Sequence, residues 1–196
     1  MKYAVVLGDG MADYPVKELG NKTPLQKAAT PCLDSLCAKG VLGMVRTIPA
    51  GLPPGSDTAN LSILGYDPRK YYSGRSPFEA ASIGVKLKEG DIAFRCNLVT
   101  LSEAEPYGEK TMVDHSAGEI TTVEAGQLIK CVDEVFGEGK IAFYRGTSYR
   151  HLMVWQGGPF PLQLTPPHDI LGKKISPYLP QGEGRTLIEI MEKSVE

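Results

Sequence analysis

Residues 49–55, PAGLPPG, place three prolines and two glycines in seven positions. Proline lacks a backbone donor and glycine resists ordering, so neither helix nor strand crosses this stretch, and the segments on either side must end or begin here. Immediately after it, Ser56 to Leu64 reads as two turns of helix closed by Gly65. Ser56 therefore stands at a helix start, where backbone N–H groups lack partners and the helix dipole is positive, a setting that attracts an anion such as phosphate. Ser56 is a candidate nucleophile or phosphate contact; the alternative is that Ser56 or Asp57 caps the helix.

The segments before the loop read as strand, helix, strand. Tyr3–Leu7, YAVVL, is a short apolar run that predicts a buried strand, ended by Gly8-Asp9-Gly10. Asp9 then lies at the carboxyl end of a strand, where open α/β sheets bind their ligands, and could bind a metal, act as a base or satisfy nearby N–H groups. Thr23-Pro24 and Thr30-Pro31 each resemble an N-cap followed by a first helical proline, and two short helices follow, the second ending at Gly40. Leu33, Leu36 and Cys37 fall at helical spacing and are expected to pack on the sheet. Gly43–Pro49 predicts a second strand. A right-handed crossover makes the two strands parallel, so Asp9 and the loop before Ser56 share one edge.

Further on, Pro77–Ile83 predicts a helix with Arg75 just before it, a candidate clamp for phosphate or carboxylate. From Val85 the pattern changes, and a domain boundary is expected there, dividing the chain into 1–84 and 85–196. GDIAFRCNLVTL alternates, with Ile92, Phe94, Cys96 and Leu98 on one face and Ala93, Arg95, Asn97 and Val99 on the other. KTMVD is a further strand. TTVEAGQLIKCVDEVFG is an amphipathic helix capped by Thr121 or Thr122, with Val123, Leu128, Ile129, Val132 and Phe136 inward. GKIAFYR and SYRHLMVWQ form a strand pair. Arg150 and His151 are adjacent, so in a regular strand they face opposite ways. Residues 157–182 are too rich in proline and glycine for regular structure, and TLIEIMEKSVE is a final helix in which the chain breaks off in mid-element, with Leu187, Ile190 and Met191 on one face.

Of the 196 residues, 42% are hydrophobic and 22% charged, with a formal net charge of −2. That is the balance of a soluble globular protein with scattered lysines and arginines, and it argues against a nucleic-acid partner. No apolar run reaches membrane-spanning length and the start lacks the features of a signal peptide, so no membrane partner is expected and the cytoplasm is the expected compartment. Cys32, Cys37, Cys96 and Cys131 show no paired spacing and read as reduced packing residues.

The series VVLGDGMADYP, TPLQKAATPCLDSLCAKG, PPGSDTANLSILGYDP, YYSGRSPFEAASIGV, GDIAFRCNLVT, YRHLMVW and TPPHDILGK resembles, in order, the archaeal-type cofactor-independent phosphoglycerate mutases of the alkaline phosphatase superfamily. The resemblance implies an α/β fold: a partial alkaline phosphatase-like core sheet followed by a small α+β inserted domain. It also implies two divalent metal ions (manganese, zinc, cobalt or magnesium) and no requirement for 2,3-bisphosphoglycerate. In the matching motifs Asp9 corresponds to a metal-binding aspartate and Ser56 to the phosphorylated serine, itself a metal ligand. Arg75, Arg95, Arg150 and His151 are candidates for holding a phosphoglycerate substrate. Family members are considerably longer, and their remaining aspartate and histidine ligands belong to a C-terminal half. This chain is thus expected to be an N-terminal portion with little or no mutase activity and an exposed sheet edge that invites self-association. Where the family usually has arginine, this chain has Glu119. A homoserine kinase-like phosphotransferase and a non-catalytic ligand-binding fragment are the competing readings.

Overall fold

The computed structural model describes residues 1–52 and 54–195. Pro53, inside the loop before Ser56, and Glu196, at the end of the expected last helix, lie outside the described residues. The chain divides into two compact units, Met1–Pro49 and Ala50–Glu196.

The first unit carries helix α1 (Pro24–Lys27) and helix α2 (Pro31–Lys39), both opened by proline as expected. Thr23 makes a complete capping box with Gln26, each satisfying the other's backbone N–H. The two expected strands do not form. Tyr3–Leu7 and Gly43–Pro49 adopt no strand, and among the described residues their backbones make no hydrogen bond. A strand exists only beside a partner, and an apolar run suited to burial on both faces has none in this unit. Leu33 and Leu36, expected to pack on that sheet, are accordingly exposed.

The second unit holds the core. Helix α3 (Ser56–Ile63), helix α4 (Pro68–Tyr71) and helix α5 (Ser76–Ser82) precede strand β1 (Asp91–Asn97), strand β2 (Thr100–Leu101) and strand β3 (Met112–Asp114). Helix α6 (Thr122–Phe136), strands β4 (Ile141–Thr147) and β5 (Arg150–Gln156) and helix α7 (Arg185–Lys193) follow. The sheet is antiparallel in the order β1-β5-β4, with β2 and β3 forming a separate pair. Its register sets Phe94 opposite Met153, Arg95 opposite Leu152 and Asn97 opposite Arg150.

Alternation sends the two faces of this sheet to different partners. Phe94, Cys96, Phe143 and Met153 meet Ile129 of α6 and Leu187 of α7 in the main core. On the other face Ala93, Leu152 and Val154 pack with Ala80 of α5. Within α6 the inward stripe is Ala125, Ile129, Val132 and Phe136, at helical spacing. Val123, in the first turn, and Leu128, at the stripe's edge, are exposed instead of inward. Thr121 caps α6 in a capping box with Glu124, and Asp133 accepts the Phe143 N–H at 2.8 Å, tying helix to sheet. Residues 157–182 hold short helical turns at Pro167–Ile170 and Ser176–Tyr178 and one antiparallel bridge, Lys174 with Thr111. The four cysteines are free; Cys32 and Cys131 are exposed and do not pack, while burial pushes the Cys96 thiol up to about 11. Among the described residues no helix is long and apolar enough to cross a membrane.

Candidate active site

Ser56 is the first residue of α3, and the N-cap is Gly55, whose φ of −169° and ψ of 149° are extended. No side chain caps this helix, so the Ser56 hydroxyl is not spent on the helix end. The side chain is exposed, next to backbone N–H groups that an anion could meet.

Asp57, next along, faces the fold. Its carboxylate accepts from the Tyr72 hydroxyl and from Arg75 Nε at 3.1 Å. Burial by itself would raise this carboxyl, but the Tyr72 hydroxyl, the Thr58 N–H and Arg75 together hold it below the usual carboxylate range. Burial and then Asp57 push the Tyr72 hydroxyl up, and the bond to Asp57 raises Arg75. Arg75 precedes α5 and is half exposed, so one N–H is held by Asp57 while the far end of the guanidinium remains open. A side chain at Gly55 would run into the Asp57 carboxylate and come within 3.4 Å of Arg75 Nη2. The cationic head therefore sits beside the residue preceding Ser56.

One turn along α5, Glu79 pairs with Arg95 Nε of β1 at 3.0 Å. Between α3 and α5 lies a cleft of about 390 Å³ lined by Leu61, Leu64 and Phe78, with Asp57, Asn60, Arg75 and Glu79 as its polar groups. Asp57 of α3 thus holds Arg75 at the start of α5, and Glu79 within α5 holds Arg95. From Arg95 the register leads to Asn97, whose buried Oδ1 has no partner among the described residues, and across to Arg150. These three side chains share the α5 face of the sheet.

His151 points the other way, into the fold. It is 2% exposed; Nδ1 accepts the Gly146 N–H at 3.1 Å, which leaves the proton on Nε2, a buried atom with no partner among the described residues. Burial and the neighbouring Arg145 depress its pKa to about 4, so the ring is neutral near pH 7. Of the four expected substrate residues, the fold brings Arg95 and Arg150 to one face, holds Arg75 next to Ser56 and turns His151 away from Arg150.

Two histidines that the sequence left without a role join Arg150 instead. The guanidinium of Arg150 lies 5.7 Å from the Tyr149 ring centroid, His115 meets the same ring edge-on at 5.7 Å, and His168 lies 6.3 Å beyond. His115 Nδ1 is buried without a hydrogen-bond partner. Asp114, beside it, is held below the carboxylate range by the Ser116 and Gly118 N–H groups and the Ser116 hydroxyl. The one signal in the sequence was that each of the three histidines adjoins a charged residue, at Asp114, Arg150 and Asp169.

Asp9 is exposed in the first unit between Gly8 and Gly10, and Ser56 belongs to the second. Among the described residues no group of three or more His, Cys, Asp and Glu side chains could hold a metal ion. Asp9 and Ser56 are two donors, and the residues present do not make up a two-metal centre.

Residues 37–196 match the family described as 2,3-bisphosphoglycerate-independent phosphoglycerate mutase. A protein of Geobacter sulfurreducens named "Probable 2,3-bisphosphoglycerate-independent phosphoglycerate mutase" is 54% identical over 99% of this chain and 48% of its own length. The 2,3-bisphosphoglycerate-independent phosphoglycerate mutase of Methanosarcina barkeri is 52% identical over all of this chain and 48% of its own. Among solved structures, the PH0037 protein from Pyrococcus horikoshii superimposes with a TM-score of 0.62 at 28% identity, over 95% of this chain and 40% of that one. The chain spans about half the length of the curated relatives it matches, their N-terminal portion. It belongs to the family of 2,3-bisphosphoglycerate-independent phosphoglycerate mutases.

Proposed function

We propose that this chain supplies the nucleophile and part of the substrate grip of an enzyme that interconverts 3-phosphoglycerate and 2-phosphoglycerate without 2,3-bisphosphoglycerate. The observation that carries this is the exposed, uncommitted Ser56 at the start of α3, with Arg75 held beside it by Asp57. The Ser56 oxygen attacks phosphorus, the bond from phosphorus to the 3-oxygen breaks, and the products are phosphoserine and glycerate. Glycerate then turns, its 2-hydroxyl attacks the phosphoserine, and Ser56 is restored. Arg75 neutralises the phosphoryl group, and Arg95 and Arg150 hold the carboxylate while glycerate turns. Water must be kept out at that stage, because it would convert the mutase into a phosphatase.

In this reading residues 1–84 contribute Asp9 and Ser56 to a metal-bearing core with an alkaline phosphatase-like sheet, and residues 85–196 cover the substrate. Two donors are too few for two divalent ions, so the chain by itself has little or no mutase activity.

A chimera joining this chain to the unmatched part of the Geobacter sulfurreducens relative, supplied with manganese, tests the reading. It should convert 3- to 2-phosphoglycerate and yield a phosphopeptide at Ser56, and Ser56→Ala should abolish both. An active chimera that never phosphorylates Ser56 refutes the assignment. Glu119, exposed in the loop that carries His115, is the observation that favours a related phosphotransferase. Turnover of homoserine with a phosphoryl donor, without phosphoglycerate turnover, would put that reading in its place.

A further inference from the structure

The turn between β4 and β5 has two residues, Ser148 and Tyr149. Ser148 has a φ of 52°, in the left-handed region, where tight hairpin turns ordinarily place glycine or asparagine and other side chains cost strain. The serine spends its polar groups on a distant loop. Its hydroxyl donates to the Ile120 carbonyl at 2.8 Å and its N–H donates to Thr122 Oγ1 at 3.0 Å. Both acceptors stand where the loop from Asp114 runs into α6, and that loop carries two more non-glycine residues at positive φ, Ala117 at 50° and Glu119 at 55°. Strain of this kind persists only where surrounding contacts over-determine it. The two loops meet at the Tyr149 ring, which His115 of one loop touches edge-on and the Arg150 guanidinium of the other faces, each at 5.7 Å.

We propose that Ser148 is a positioning residue: by fastening the β4–β5 turn to the loop that carries His115, it fixes the Tyr149 ring and so holds Arg150 where Arg95 and Asn97 address the same ligand. Ser148 touches no substrate itself, and its effect on phosphoglycerate binding rests on Arg150 being a carboxylate contact, as read above. A turn without this task would be more stable with glycine, which adopts positive φ without a steric cost. The serine hydroxyl trades that stability for a fixed spacing between two loops, and a guanidinium ordered before the ligand arrives binds it more tightly than one ordered on arrival.

Two substitutions in the 196-residue chain test this. Ser148→Gly removes the hydroxyl and the strain together, whereas Ser148→Ala removes the hydroxyl and keeps the strain. In both, the Tyr149 carbonyl still accepts the Leu98 N–H at 2.9 Å, which keeps the turn on the sheet. Urea unfolding followed by Trp155 should find Ser148→Gly the more stable of the two. Proton NMR should show the contact between the His115 and Tyr149 rings weakened in both. 3-Phosphoglycerate, followed through the Arg150 side-chain signal, should bind both about tenfold more weakly, in line with the loss of one ordering hydrogen bond. A role confined to stability predicts instead that affinity recovers in Ser148→Gly, and that result would overturn the proposal. An undiminished ring contact, or an unchanged affinity, in both variants would overturn it too. If the unsubstituted chain binds no 3-phosphoglycerate while the ring contact still weakens in both variants, Arg150 is not the carboxylate contact and Ser148 stands as the clamp between the loops.

Discussion

Acidification should cost this protein stability in a window set by His151. The ring is neutral in the fold, with its pKa depressed to about 4 from an ordinary 6.5. The unfolded chain therefore binds a proton between those values that the folded chain does not. The stabilisation is fully present above pH 6.5 and is lost as pH falls through about 4. At 1.36 kcal/mol for each pH unit of that gap it amounts to about 3 kcal/mol, of which about 2 kcal/mol goes between pH 7 and pH 5. Against a typical domain stability of roughly 5–15 kcal/mol that is a large fraction. The carboxylates held low in the fold, Asp57, Asp114 and Glu124, start from 3.8, 3.8 and 4.5. Their contributions are lost mainly below pH 5, which leaves the interval from 6.5 to 5 to histidine. Urea unfolding at half-unit pH steps, followed by the single tryptophan, Trp155 on the same strand, measures the slope. His151→Gln keeps an acceptor for the Gly146 N–H and removes the titration, so its stability should be flat across that interval whatever its absolute value. An equal slope in both proteins would refute the assignment, and a flat profile in the unsubstituted chain would refute the neutral buried ring.

Two further outcomes follow from the packing and the polar network. Leu152→Ala, at a side chain 1% exposed between β1 and β4, should destabilise the second unit by about 2–5 kcal/mol in the same urea assay. Tyr72→Phe removes the hydroxyl that Asp57 accepts, so the Asp57 carboxyl should titrate at higher pH by carbon-detected NMR, with little change in the sheet; an unmoved titration would mean that the Thr58 N–H and Arg75 set it without the hydroxyl.

Local chemistry was readable where it sits within a few positions of its effect. Thr121 and Glu124 announce the start of α6, and the alternation through Phe94, Arg95, Cys96 and Asn97 sorts core from site face. The link from Asp57 to Tyr72 spans 15 positions and depends on the fold, so no spacing rule finds it. The gathering of His115, Tyr149, Arg150 and His168 is likewise made by tertiary packing. The opposite failure occurred at Tyr3–Leu7 and Gly43–Pro49: both sequences are strand-like, but pairing depends on neighbours that neither segment's own pattern specifies. Arg150 and His151 lie between these cases, since strand alternation required them to diverge while it left open which one enters the core.

The central strand of the sheet is also the last to be made. Each residue of β1 waits for a partner 53 to 65 positions downstream, from Asn97 with Arg150 to Asp91 with Gln156. At synthesis rates of roughly 5–20 residues per second, β1 leaves the ribosome several seconds before β5 can receive it. During that interval Phe94 and Cys96 are bare, and β4, an edge of the finished sheet, has nothing to join. The strand that divides Arg150 from His151 is thus also the step that commits the nascent second unit to its fold, and a pause in translation just before residue 150 would lengthen its exposure to aggregation and to chaperones.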